Sequence, residues 1–110
     1  MNRAESLRGR KPELTVDLFL YPTDCGGRSQ PIGPGWGCPC TIQQEEGSGW
    51  IGYDGWPLLG ERMMSPGETR RVGMVFLSGQ DAVSVLSRPG KFFLWEGRLI
   101  GEATIVQETT

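Results

Sequence analysis

An all-β domain of six or seven short strands is what this sequence predicts, and three observations carry the prediction. Glu13 to Tyr21 alternates, with Leu14, Val16, Leu18 and Leu20 on one face and Thr15, Asp17, Phe19 and Tyr21 on the other, the period of a half-buried strand. The 17 Gly and 8 Pro of the 110 residues are scattered between short apolar runs, as turns between strands would be. The stretch Lys91 to Val106, KFFLWEGRLIGEATIV, sets two β-rich runs around Glu96-Gly97, the local signature of a hairpin. No segment shows sustained helical periodicity. The spacing of turns suits a sandwich or a small barrel, and a closed barrel has the merit of leaving no edge strand exposed.

Taken in order, residues 1–12 form a flexible basic N-terminal arm closed off by Pro12, and residues 13–110 a single barrel domain. The alternating strand comes next. Pro22 to Gly37, broken by Gly26-Gly27, Pro31, Gly33, Pro34 and Gly35, is a long connection with at most brief extended pieces. Cys38 to Glu45 reads as a strand with Pro39 near its start or on an edge, because Pro lacks a ladder donor. Gly47-Ser48-Gly49 turns the chain into a return strand, Trp50 to Tyr53, and a second turn is expected at Asp54-Gly55 before Trp56 to Leu59.

Ser65-Pro66-Gly67-Glu68 suits a type II turn, with Pro second and Gly third. Thr69 to Leu77 follows, with Val72, Met74 and Phe76 on one side and Val75 and Leu77 on the other, a strand covered on both faces. Ala82 to Leu86 reads as a short edge strand or a turn. In the final hairpin a three-residue connection with Gly97 left-handed is favoured over a two-residue one, since Glu tolerates positive φ poorly. Three residues place Leu99 on the face of Phe93; two place Ile100 there.

The length allows one domain with one core. Of the formal charge of −2, the first twelve residues carry +3 (Arg3, Arg8, Arg10 and Lys11 against Glu5), leaving −5 on the rest, and an acidic body repels phosphate chains. There is no apolar run long enough to span a bilayer, and the charged start is unlike a secretory signal. Three cysteines cannot close a disulfide framework, which fits a reducing compartment; the expected location is the cytoplasm.

The alternating ELTVDLFL, Gly26-Gly27-Arg28, a proline-containing strand, SPGETRRVGMVFL and the terminal FFLWEGRLIGEA occur in an order and spacing that resemble the third, C-terminal β-barrel domain of translation elongation factor Tu, here as a stand-alone chain. The likeness runs from about Glu13 to Val106. It implies an all-β, small closed six-stranded antiparallel barrel. It also implies a translation-associated role, because in the family this domain meets the tRNA acceptor and T stem as well as partner proteins. Arg28 matches the family's GGR arginine, and Glu96 with Gly97 its hairpin Glu-Gly; with Arg98 they form the RNA-binding set. The sequence departs from the family at Ser29, where His is usual, and at Cys38 and Cys40, where Arg and Gln are usual. At Trp95 the family usually has Arg. Each basic contact removed subtracts phosphate affinity. No G-x-x-x-x-G-K-[ST] loop is present, so GTP is not an expected ligand.

Chemistry is sparsely provided. Without His, a Cys or Ser nucleophile lacks its usual base, and Asp17, Asp54, Glu61 and Glu96 show no pairing, so neither catalytic residues nor a cofactor are expected. Cys38-Pro39-Cys40 with Cys25 offers three thiolates, a distant alternative as a metal or redox site. Structural zinc wants four ligands at wider spacing, so small buried thiols are the preferred reading and no metal is assigned. The aromatic residues carry more. Phe93, Trp95 and Trp56, rimmed by Arg70 and Arg71, form the candidate protein-binding surface, since aromatic and Arg side chains dominate interface hot spots. Burial at the barrel ends is the competing account of the tryptophans. The function expected is thus a non-catalytic binding module for a protein partner, with RNA binding as the alternative.

Overall fold

The computed structural model describes residues 3–44 and 49–106. Six strands, β1 (Leu14–Leu20), β2 (Cys38–Gln43), β3 (Trp50–Leu58), β4 (Thr69–Phe76), β5 (Lys91–Trp95) and β6 (Leu99–Ile105), close into an antiparallel barrel in the order β1-β4-β3-β2-β5-β6, with β6 returning to β1. The expected closed six-stranded barrel is therefore the fold. Its interior is the inner half of each alternation: Val16, Leu18 and Leu20 from β1, Met74 from β4, and Phe92 and Leu94 from β5, all at most 1% exposed. Burial of such side chains is worth about 1.5–3 kcal/mol each. Phe76 and Phe92 meet edge to face at 6.1 Å across the core. Leu14, at the barrel's end, is only half buried.

The turn chemistry accounts for the connections. Gly67 takes φ +88° and Glu68 N–H donates to the Ser65 carbonyl at 3.0 Å, closing the type II turn before β4. In the last hairpin the three-residue connection is the one observed, with Gly97 at φ +74° and Trp95 paired with Leu99. A bulge between Leu94 and Trp95 then lets Ile100, 1% exposed, point inward. The long connection packs Ile32 against Met64 through reciprocal 2.9 Å backbone bonds, both side chains at most 1% exposed. Both side chains belong to the core.

Two expectations of local structure are corrected. Asp54-Gly55 is not a turn: β3 runs unbroken from Trp50 to Leu58, and Gly55 is needed inside it because a Cβ there would lie 2.7 Å from the Phe76 ring and 2.9 Å from Cys40 Sγ. Ala82 to Leu86 is neither an edge strand nor a turn but part of a helix, α2 (Gln80–Leu86), whose Ala82 and Leu86, one turn apart, are buried. A helix this short gives too few repeats for its period to stand out in the sequence. Arg3–Leu7 forms a helical turn, α1, that lies against the barrel, with Arg8 3.3 Å from Glu61.

On the outer face, β4 is asymmetric. Val75 is 1% exposed, in a cleft shared with Arg3, Ser6 and Leu7, whereas Leu77 just past the strand is 73% exposed. The expectation of cover on both sides holds for the first residue only.

Candidate binding surface

The outer side of β5 carries aromatic side chains on the barrel wall. Phe93 and Trp95 are two residues apart and so share that side, and Trp95 is 45% exposed. Trp50, 50% exposed at the start of β3, reaches over β2 to meet the Phe93 ring edge-on, with centroids 5.9 Å apart. Thr41 lies between them in register, opposite Phe93 on one side and Gly52 on the other, and its hydroxyl donates to the Phe93 carbonyl at 3.2 Å. The absent side chain at Gly52 leaves room for the tryptophan to lean. That Trp50, an aromatic two positions from a glycine on the outer face, meets Phe93 needs the strand pairing before it can be read.

A polar network borders the aromatics. Lys91 Nζ lies 5.8 Å from the Phe93 ring centroid and pairs with Glu102, which also accepts a hydrogen bond from the Tyr21 hydroxyl at 3.0 Å. Burial first, and the neighbouring Glu102 second, push the Tyr21 phenol up to about 12.

The other candidate residues are elsewhere. Trp56 is on β3, two strands from β5, half buried with the Arg3 guanidinium 4.5 Å from its ring centroid. Arg70 and Arg71 are on β4, on the opposite side of the ring of strands from β5, so they cannot rim the Phe93–Trp95 surface. Arg70 is also committed: its Nε donates to Glu68 at 2.8 Å and its Nη atoms to the carbonyls of Arg62 and Met63 at 3.2 and 2.7 Å. The Ser65 amide and then Arg70 hold the Glu68 carboxyl below its ordinary value. Arg71 grips Asp17 with two bonds of 2.8 and 3.1 Å, which lowers the Asp17 carboxyl and raises the guanidinium.

Arg28, Glu96, Gly97 and Arg98, the residues expected to meet RNA, are gathered where the long connection meets the terminal hairpin. Their donors, however, face the protein. Arg28 Nε binds Glu96 at 2.7 Å, its Nη1 binds the carbonyls of Gln30 and Pro31 at 2.7 and 2.9 Å, and its side chain is 21% exposed. Glu96 takes a further bond from the Trp36 indole at 3.2 Å, and Arg98 donates to the carbonyls of Gly26 and Gly27 at 2.8 and 3.0 Å. This cluster ties the long connection to the terminal hairpin. A phosphate would have to compete with those acceptors.

Cys38 and Cys40 both point into the barrel as alternation requires, buried, while Cys25 is exposed. The Cys40 thiol is pushed well up, by its interaction with Cys38 and by burial. Among the described residues no group of three or more His, Cys, Asp or Glu is placed to hold a metal ion, and no helix is long and apolar enough to cross a membrane. No family model matches the chain, and no curated protein matches it.

Proposed function

We propose that this chain is a non-catalytic β-barrel binding module, similar to the third domain of elongation factor Tu, that recognises a protein partner through the outer side of β5. One observation carries the reading: Trp95 and Trp50, 45% and 50% exposed, flank Phe93 in a continuous aromatic surface. Large exposed aromatics at the centre of a patch, bordered by charges such as Lys91 and Glu102, have the composition of an interface core and its rim. The three free thiols suit a reducing compartment, and the module is assigned to the cytoplasm.

An RNA-binding role through Arg28 and Arg98 is disfavoured because their donors already bind Glu96 and backbone carbonyls. The test is affinity capture from the source cell with the wild-type chain and with Trp95→Ser, read alongside filter binding of tRNA over a salt series. A co-purifying protein lost with Trp95→Ser supports the proposal. Salt-dependent tRNA binding that weakens in Arg28→Ala, with no protein captured, overturns it.

A further inference from the structure

Closure of the barrel leaves one strand longer than its neighbour. β4 pairs with β3 from Leu58–Gly73 to Gly55–Phe76, Leu77 N–H adds a bond to the Asp54 carbonyl at 3.0 Å, and the chain then departs. Gly79, at φ +55° and ψ −128°, turns it into α2, which packs on β2 and β4. Trp50 to Gly52 are therefore paired on one side only, with β2.

The direction of their backbone groups follows from two bonds. Gln44 N–H donates to the Gly49 carbonyl at 3.1 Å on the β2 side, while Asp54 accepts from Leu77 on the other. Alternate residues of an antiparallel strand address opposite neighbours. Ile51 and Tyr53 thus face β2, and the N–H and C=O of Trp50 and Gly52 point away from the barrel, where no strand meets them among the described residues. The Trp-Ile-Gly-Tyr edge carries no charge, no proline and no bulge, the usual guards of a free edge.

We propose that this edge pairs with the same edge of a second copy of the chain, antiparallel and two-fold symmetric about Ile51. In that register each outward N–H and C=O of Trp50 and Gly52 finds its complement on the second copy. Side chains fit as well. Trp50 lies opposite Gly52 of the second copy, Tyr53 opposite Gly49, and Ile51 opposite Ile51, so no two large rings collide and the axis is an aliphatic contact. No charged side chain between Gly49 and Tyr53 opposes its own copy. The two proposals share Trp50, whose ring lies on the partner surface and whose backbone lies on this edge, and they are separated by Trp95→Ser, which leaves the edge untouched, and Gly52→Pro, which leaves the β5 aromatics in place.

The test combines oligomeric state with a register-specific cross-link. Light scattering over a concentration series is expected to show a dimer that dissociates on dilution. In a Cys25→Ser background, Ile51→Cys is expected to form an intermolecular disulfide on mild oxidation, and Gln43→Cys, exposed on β2, is not. Gly52→Pro removes an outward donor and should give a monomer with unchanged circular dichroism; if it does not fold, Trp50→Lys serves the same purpose. A wild-type monomer at the highest concentration, equal cross-linking of both cysteine variants, or a folded edge variant that still dimerises overturns the proposal.

Discussion

Replacing Gly55 by Ala sets two known effects against each other, and the geometry says which one prevails. In a strand interior Ala is favoured over Gly by roughly 0.5–1 kcal/mol of backbone entropy. The new methyl, however, would stand 2.7 Å from Phe76 Cδ1 and 2.9 Å from Cys40 Sγ. Forcing an extra carbon into a filled core costs about 1–3 kcal/mol. Phe76, 4% exposed and edge-on to Phe92 at 6.1 Å, has little space into which to retreat. The expected net loss is about 1–2 kcal/mol, read as a lower urea midpoint at unchanged slope, with Tm falling roughly 4–8 °C per kcal/mol. The decisive measurement is a double-mutant cycle with Phe76→Leu. If the ring is what the methyl strikes, Gly55→Ala/Phe76→Leu will be less destabilised than the sum of the single variants by about 0.5 kcal/mol or more. Strict additivity would refute the steric account.

Three further outcomes are expected. Asp17 and Glu68, whose carboxyls are lowered in the folded state by Arg71 and by Ser65 with Arg70, add stability that is present above their ordinary values of 3.8 and 4.5 and lost as pH falls below them; Asp17→Asn/Glu68→Gln should flatten the acid limb of a Tm-versus-pH curve. Tyr21, raised from 10.0 to about 12, makes the opposite contribution at the alkaline end: the unfolded phenol ionises first, so stability falls as pH rises between those values, and absorbance titration of Tyr21→Phe should lack the latest-ionising phenolate. A thiol reagent should label Cys25 rapidly in the folded protein and Cys38 and Cys40 only on unfolding, which mass spectrometry of the labelled peptides will show.

Much of the barrel is legible in the sequence because its strands bury one face. The alternation of β1 sorts Val16, Leu18 and Leu20 inward without further information, and Pro66-Gly67 and Gly97 announce their turns by the φ they must adopt. What the sequence conceals is decided across strands. Asp54-Gly55 resembles a turn because the reason for its glycine, the ring of Phe76, is contributed by residues distant in the chain. α2 is too short to display a period. The candidate site divides in the same way: Phe93 and Trp95 share a side by strand alternation alone, but whether Trp56, Arg70 and Arg71 join them depends on strand order. The order β1-β4-β3-β2-β5-β6 separates them, and the pairing of Gly52 with Thr41 brings in Trp50 instead.

The amino-terminal helical turn folds back so that Arg3 rests on Trp56, and Ala4 lies so near Gly35 that a side chain there would meet its amide at 2.9 Å. Deleting residues 3–7 would therefore bare the Trp56 ring together with Val75 on the flank of β4, turning a covered side of the wall into a second apolar face.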